Sequence, residues 1–137
     1  MSSDVATATA CLEKPDEGCR WAEGPASFPA GRDLVWSDIP NDRVLRFDEV
    51  ANPVRVLRSP AGHTNGNAVA RQGRLVGCEH GDHRVSRTEH GGSATSPASH
   101  HNGKRLNSPD NVVVRSDGSI RYTDPAQGID SDCKRHK

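Results

Sequence analysis

Apolar residues occur in short runs, separated by turns that are rich in glycine, proline, asparagine and aspartate. No stretch places apolar residues at i, i+3, i+4 and i+7, so the sequence predicts little or no helix. Short apolar runs between turn-forming residues are typical of β-strands, and the pattern predicts an all-β chain. The strand-sized runs are residues 33–36, 43–47, 53–57, 74–76, 111–114 and 120–122.

The strand pattern repeats along the chain. Residues 31–48 and 73–89 each contain a glycine-led turn, an apolar strand, an acidic residue and a second strand that begins Arg-Val-x-Arg. The acidic residues Asp38 and Glu79 lie 41 positions apart, and a third copy begins at Asp117. Four short strands per roughly 40–50 residues is the period of β-propeller blades. The repeat therefore predicts a partial β-propeller of about two and a half blades.

Polar residues recur at one phase of this repeat. Glu23, Asn65 and Asn107 are spaced by 42 residues. Because the innermost strand of a propeller blade lines the central channel, we expect these three side chains on one inner ring. Carboxylate and amide oxygens suit hard cations such as Ca²⁺ or Mg²⁺. Asparagine before glycine or Ser-Pro also forms turns, so a purely structural role stays open for Asn65 and Asn107.

The composition limits the kinds of partner. The chain has 137 residues, with 18 basic and 18 acidic side chains and a formal net charge of zero. A protein that binds nucleic acid or an anionic membrane carries a basic patch, which this balance does not suggest. The sequence also lacks an apolar run of the roughly 20 residues that span a bilayer, and residues 1–11 do not resemble a secretory signal. We expect a cytoplasmic protein with no nucleic-acid and no membrane partner.

A series of short motifs occurs along the chain, namely Glu-Gly-Pro at 23–25, Trp-Ser-Asp at 36–38, Cys-Glu-His-Gly at 78–81 and Arg-Leu-Asn-Ser-Pro at 105–109. In this order the motifs resemble the gluconolactonase family, which includes senescence marker protein and luciferin-regenerating enzyme. The resemblance covers residues 20–132. It implies a six-bladed β-propeller that hydrolyses sugar lactones and related esters with a divalent cation in its channel.

The resemblance also assigns roles to residues. It implies that Glu23 is a metal ligand, that Arg105 binds substrate, and that Asn107 contributes to both the substrate site and the metal shell. The implied cation is Ca²⁺, with Zn²⁺, Mn²⁺ and Mg²⁺ as alternatives, and the implied substrate is a small lactone. After Asn-Ser-Pro the family usually has Asn-Asp, whereas this chain has Asp110 and Asn111. Neither of these two residues is therefore assigned.

The chain is short for this family, whose later blades supply a further asparagine ligand and a catalytic aspartate. We expect an N-terminal segment over 1–19 that is poorly ordered or forms a closing strand, a partial propeller over 20–132, and a truncated tail at 133–137. The hydrophobic content of 32% is low, as expected where blades lack neighbours to bury them.

Two functional interpretations follow from this length. In the first, the chain is a truncated gluconolactonase-like hydrolase that opens the ester bond with metal-activated water, holds no catalytic residue of its own, and is inactive alone. In the second, it is a non-catalytic propeller fragment that binds a partner or self-associates through its open sheet edges.

The middle of the chain contains residue types that zinc prefers, Cys78-Glu79-His80, followed by His83 and His90. They do not form a paired Cys-x-x-Cys motif and nothing fixes a fourth ligand, so a zinc site is the weaker interpretation. The sequence has no Gly-x-Ser-x-Gly motif for a serine nucleophile. Irregular spacing without a secretory context predicts free thiols at Cys11, Cys19, Cys78 and Cys133.

Overall fold

The computed structural model describes residues 13–126, and the regular elements of this part are β-strands. In chain order they are β1 (Ala22–Phe28), β2 (Asp33–Asp38), β3 (Arg43–Asp48), β4 (Val54–Arg58), β5 (Thr64–Val69), β6 (Leu75–Glu79), β7 (Arg84–Thr88), β8 (Ala94–Ala98), β9 (His100–His101), β10 (Lys104–Arg105), β11 (Val112–Val114) and β12 (Ile120–Tyr122).

The strands form antiparallel sheets in sequence order. Strands β1–β4 form one four-stranded sheet, here blade 1, and β5–β8 form a second, blade 2. Strands β11 and β12 form a two-stranded sheet, here the half-blade, and β9 pairs with β10 in a short hairpin before it. The prediction of an all-β chain with about two and a half propeller blades is confirmed.

The inner strands of neighbouring blades approach one another through glycine. Gly24 of β1 has φ of +57°, and a Cβ atom on it would lie 2.1 Å from the carbonyl oxygen of Asn65. A Cβ atom on Gly66 of β5 would lie 2.3 Å from the carbonyl oxygen of Asp110. Any larger residue would clash with backbone at these positions. Glycine therefore sets the spacing of the inner strands.

The core lies between the blades. One cluster joins blade 1 to the segment that leads into blade 2, and it contains Val35, Val44 and Ala61 with Leu75 packed against them. The second joins blade 2 to the half-blade. The outer strands remain open to solvent, as Val56 in β4 shows with 53% of its surface exposed. Because each blade buries its faces only against its neighbours, the core can be built from few large side chains. The buried residues of the second cluster, between blade 2 and the half-blade, are Val76, Cys78, Val85 and Val112.

Several predictions concern residues that the structure describes in part or not at all. Residues 13–19 of the predicted N-terminal segment form no strand. Cys11, Cys133 and the predicted tail at 133–137 lie outside the described residues. Cys19 and Cys78 are free thiols. Among residues 13–126 no helix is long and apolar enough to cross a membrane.

Candidate site at the inner edge of the blades

Strand register places Glu23 and Asn65 at the same position of blades 1 and 2. Ala22 pairs with Asp38 in blade 1, and Thr64 pairs with Glu79 in blade 2. Both inner strands have a register irregularity just after these pairs, between Glu23 and Ala26 in β1 and between Thr64 and Asn67 in β5, and Asn65 lies within the second. The sequence spacing identified this pair of equivalent residues.

In the half-blade the equivalent residue is Asp110, three positions after Asn107. The pair Val112–Tyr122 in the half-blade corresponds to the pair Asn67–Gly77 in blade 2. Two residues before Val112 and Asn67 lie Asp110 and Asn65, which are therefore equivalent. The expectation that Asn107 shares this position is wrong. The connection from β8 to β11 carries the β9–β10 hairpin, and an insertion of this kind shifts the phase of the repeat.

Asp110 is joined to blade 2 by side-chain and backbone contacts. The Asn65 amide donates a hydrogen bond from Nδ2 to the Asp110 carboxylate, and the Gly66 N–H donates to the Asp110 carbonyl at 2.8 Å. His80, which is only 5% exposed, places Nε2 3.8 Å from Asp110 Oδ1. Asp110 therefore places a partly exposed carboxylate at the inner edge of the blades. The family that the sequence resembles usually has an asparagine at this position. Sequence reasoning left this residue unassigned.

Glu23 lies at the other end of this row, on β1. Its side chain is exposed and accepts a hydrogen bond from the Trp21 indole N–H at 3.3 Å. It borders a cleft of about 440 Å³ between blade 1 and residues 14–19, lined in part by Pro25, Leu34 and Trp36. Strand β5 lies between β1 and β11, so Glu23 and Asp110 flank Asn65 along the inner edge.

Arg105 and Asn107 lie together on the segment that leads into the half-blade, and both side chains are exposed. Arg105 Nη2 donates to the carbonyl of Asp82 at 3.1 Å, and the His83 ring Nδ1 bonds to the carbonyl of Asn107. The Asn107 N–H donates to Asp124 Oδ2 at 2.9 Å. The structure thus brings the two predicted substrate-binding residues together, while within residues 13–126 no hydrogen bond or ion pair joins either of them to Glu23.

Acidic residues at the end of the second strand of each blade support the inner edge. Asp38 Oδ1 accepts hydrogen bonds from the N–H groups of Arg20 and Trp21 at 3.0 and 3.3 Å, which fixes the chain just before Glu23. Asp124 does the same for Asn107 in the half-blade. Glu79 is the equivalent residue in blade 2. Asp38 and Asp124 thus position the candidate residues Glu23 and Asn107, whereas Glu79 is bound by Arg58 and Arg84.

The described residues do not complete a cation site by themselves. Ca²⁺ takes six to eight oxygen ligands, and within residues 13–126 no group of three or more His, Cys, Asp or Glu side chains is placed to hold a metal ion. Cys78 is fully buried in the core cluster between blade 2 and the half-blade, where burial raises its pKa to about 12. Both carboxylate oxygens of Glu79 are bound by arginines. The donor set of this part of the chain is therefore incomplete, and Cys78-Glu79-His80 does not fit zinc.

Comparison with known proteins places this arrangement in a wider group. Residues 21–134 match the family described as SMP-30/Gluconolactonase/LRE-like region. A gluconolactonase of Zymomonas mobilis subsp. mobilis is 26% identical over 124 residues, which cover 80% of this chain and 35% of that protein.

Solved structures show the same arrangement of blades. XC5397 from Xanthomonas campestris, a gluconolactonase important in glucose secondary metabolic pathways, is 45% identical with a TM-score of 0.78, covering 83% of this chain and 38% of its own. A luciferin-regenerating enzyme has a TM-score of 0.57 at 14% identity, covering 85% of this chain and 40% of its own, a likeness of fold alone. The chain spans less than half the length of each of these relatives.

Proposed function

The chain belongs to the SMP-30/gluconolactonase/LRE-like family, and we propose that it supplies two and a half blades of a divalent-cation-dependent hydrolase of sugar lactones. The observation that carries this proposal is the 45% identity, over 83% of the chain, to the gluconolactonase XC5397. A cytoplasmic location belongs to the same proposal, because free thiols such as those of Cys19 and Cys78 persist in a reducing compartment.

The chain's own residues suit recognition of a hydroxylated ester. The Arg105 guanidinium is held at one nitrogen by the Asp82 carbonyl, and its remaining donors suit a sugar hydroxyl or the oxyanion of an opening lactone. The exposed Asn107 amide offers a donor and an acceptor beside it. Asn107 and Glu23 are proposed oxygen donors to the cation, and Asp110, at the position equivalent to Glu23, adds a second carboxylate.

The proposed cation is Ca²⁺, with Zn²⁺, Mn²⁺ or Mg²⁺ as alternatives, and when bound it would supply Lewis-acid chemistry. Because the described residues provide an incomplete donor set, we assign no step of hydrolysis to the cation in this chain. We expect the chain alone to hydrolyse no lactone, and we expect activity once the remaining blades are supplied.

The test combines this chain with the part of XC5397 that it does not match. The two polypeptides would be refolded together, and hydrolysis of glucono-δ-lactone with added Ca²⁺ would be followed by acid release. Turnover should appear in the assembly, disappear with a chelator, and fall about 100-fold or more in Arg105→Ala, as for loss of an oxyanion donor. The matched control is Arg71→Ala, because Arg71 bonds the Ser116 carbonyl away from Arg105. Turnover by the chain alone, or full activity of the Arg105 variant, would contradict the proposal.

A second candidate function is association without catalysis, and the cleft between blade 1 and residues 14–19 favours it. The cleft beside Glu23 is bordered by apolar groups of Pro25, Leu34 and Trp36, and the nearby Trp21 is 63% exposed. Exposed aromatic surface of this kind marks interaction sites. Light scattering after size exclusion would show concentration-dependent self-association, which Trp21→Ser should weaken. A strictly monomeric chain at high concentration would exclude this candidate.

A further inference from the structure

We propose that His83 is a positioning residue that fixes the Arg105–Asn107 segment for substrate. This inference deepens the proposed function and rests on it for the meaning of that segment. It concerns the turn between β6 and β7, which sequence reasoning considered only as a weak zinc motif. Two successive residues of this turn, Asp82 and His83, each contact the Arg105–Asn107 segment.

The turn accepts one hydrogen bond from the Arg105–Asn107 segment and donates another to it. The Asp82 carbonyl accepts from Arg105 Nη2 at 3.1 Å, and the His83 ring bonds through Nδ1 to the Asn107 carbonyl. A carbonyl oxygen only accepts, so the His83 imidazole must carry a proton on Nδ1. The turn therefore holds one side chain and one backbone carbonyl, two residues apart. Asn107 Nδ2 also donates to the Asp124 carbonyl at 3.5 Å, which leaves Oδ1 and the second Nδ2 hydrogen of this amide available.

Backbone geometry shows that this turn position is used in the same way in both blades. His83 has φ of +53° and Asp42, 41 positions earlier at the equivalent turn of blade 1, has φ of +51°. Non-glycine residues adopt this region at a cost. The Asp42 carboxylate accepts from the N–H groups of Ala61 and His63 at 3.0 and 2.7 Å. Each turn thus binds the segment that leads into the next blade, with a carboxylate in blade 1 and an imidazole in blade 2.

The Arg105–Asn107 segment is held on its other side as well. The Asn107 N–H donates to Asp124 Oδ2 at 2.9 Å, and the Leu106 N–H donates to the Ser99 carbonyl at 3.0 Å. Leu106 itself is buried. The Asn107 side chain itself donates from Nδ2 to the Asp124 carbonyl at 3.5 Å. His83 is therefore the contact from blade 2 that fixes the Asn107 carbonyl, and it acts together with these half-blade contacts to orient the exposed side chain.

The test removes and restores the Nδ1 donor. His83→Gly tolerates the positive φ and lacks a donor, whereas His83→Asn also tolerates it and offers an amide N–H near the position of Nδ1. Hydrogen exchange of the backbone amides of residues 105–107 would be measured in the chain itself. Exchange should rise about fivefold in His83→Gly, as for the loss of one net hydrogen bond, and return to within about twofold in His83→Asn.

Controls separate positioning from general unfolding. His90→Gly, at an exposed histidine in the following turn, should leave the exchange of residues 105–107 unchanged, and β1–β4 amides should keep their protection in every variant. The ¹⁵N shifts of His83 should report a protonated Nδ1. Unchanged exchange in His83→Gly, or a ring protonated only on Nε2, would overturn the proposal.

The assembled enzyme provides a separate readout. In the complex with the remaining XC5397 blades, His83→Gly should raise the KM for glucono-δ-lactone about fivefold with a smaller change in kcat, and His83→Asn should restore it. If the assembly shows no lactone hydrolysis, the proposed function fails while the exchange result still decides whether His83 holds the segment. If hydrolysis occurs and KM is unchanged in His83→Gly, the positioning role fails alone.

Discussion

Asp38 of blade 1 and Glu79 of blade 2 occupy the same position at the end of the second strand, and both are fully buried. Each is bound by the arginine that begins the third strand, Asp38 by Arg43 at 2.9 Å and Glu79 by Arg84 at 2.6 Å. The repeat therefore gives both blades the same internal ion pair. A buried carboxylate needs such partners because desolvation is costly.

The further partners of the two acids differ. Asp38 bonds to Asn41 and to the N–H groups that precede β1, so its network stays within blade 1 and the segment leading into it. Glu79 instead forms an ion pair with Arg58, which lies on the outer strand β4 of blade 1, and the distance from Arg58 Nη2 to Glu79 Oε1 is 2.9 Å. The same position thus anchors a chain segment in one blade and joins two blades in the other.

The largest expected effect is that of Glu79→Gln, which breaks the joint between blades. The change leaves Arg58 and Arg84 partly buried without their counter-charge, and we expect the free energy of unfolding to fall by about 3 kcal/mol. Urea unfolding would measure this loss, and hydrogen exchange should rise on both blades. Glu49→Gln, at an exposed acid paired with Arg32, serves as the control and should change little. A loss confined to blade 2 would contradict the bridging role.

Asp38→Asn should have the next largest effect, about 2 kcal/mol. The amide can still accept from one backbone N–H, but Arg43 loses its counter-charge. The loss should be local, because the partners of Asp38 lie within blade 1 and the segment before it. Fluorescence of Trp21 and Trp36 would report it, while exchange on β5–β8 should remain as in the parent chain. Equal loosening of blade 2 would remove the distinction between the two acids.

The sequence predicted the blades because glycine-led turns and the Arg-Val-x-Arg strands recur with one period. It also identified Asp38 and Glu79 as equivalent. It could not identify Arg58 as a partner of Glu79, because that contact joins different blades and no local pattern links the two residues. An arginine at the end of an outer strand is, from sequence alone, indistinguishable from a solvated charge.

The candidate site was predictable only in part, for a similar reason. Glu23 and Asn65 follow the period, whereas counting residues led to Asn107 in place of Asp110. The β9–β10 hairpin lengthens the connection before the half-blade. Counting residues at a fixed period does not allow for an insertion whose length is unknown. The roles of Glu23, Arg105 and Asn107 in binding metal or substrate remain predictions.

Acid titration should affect the two buried acids Asp38 and Glu79 in the same direction, whereas Asp82, beside Glu79, should respond in the opposite direction. Burial would raise the pKa of Asp38, but Asn41, Arg43 and backbone donors outweigh it and lower that pKa below 3.8. The pKa of Glu79 is likewise lowered below 4.5, whereas burial and the adjacent Glu79 raise the pKa of Asp82 above 3.8. A carboxyl whose pKa is lowered by folding contributes stability that is lost as the pH falls through that pKa. A carboxyl whose pKa is raised by folding destabilises the fold when ionised, and this destabilisation is relieved as the pH falls through its pKa.

Below pH 4.5, the ordinary value for Glu79, unfolding should therefore become easier as pH falls, by at most about 1.4 kcal/mol per pH unit for each proton. In blade 2, protonation of Asp82 offsets part of this loss at the mild end of the range. Asp82→Asn removes the offset, so its stability should fall more steeply from the start of the titration. Urea midpoints measured at each pH would test this. A slope equal to that of the parent chain would show that Asp82 does not respond to Glu79.

The smallest effect, and the sharpest test of the comparison, is expected for Arg58→Met. Arg58 is 31% exposed, so solvent screens its charge and the loss should be about 1 kcal/mol. Arg55→Met on the same strand is the matched control, since Arg55 is exposed. In double-mutant cycles, Arg58→Met should couple to Glu79→Gln and be additive with Asp38→Asn within about 0.5 kcal/mol. Coupling to Asp38 of equal size would mean that the two acids act through one network, and that the blade boundary does not separate them.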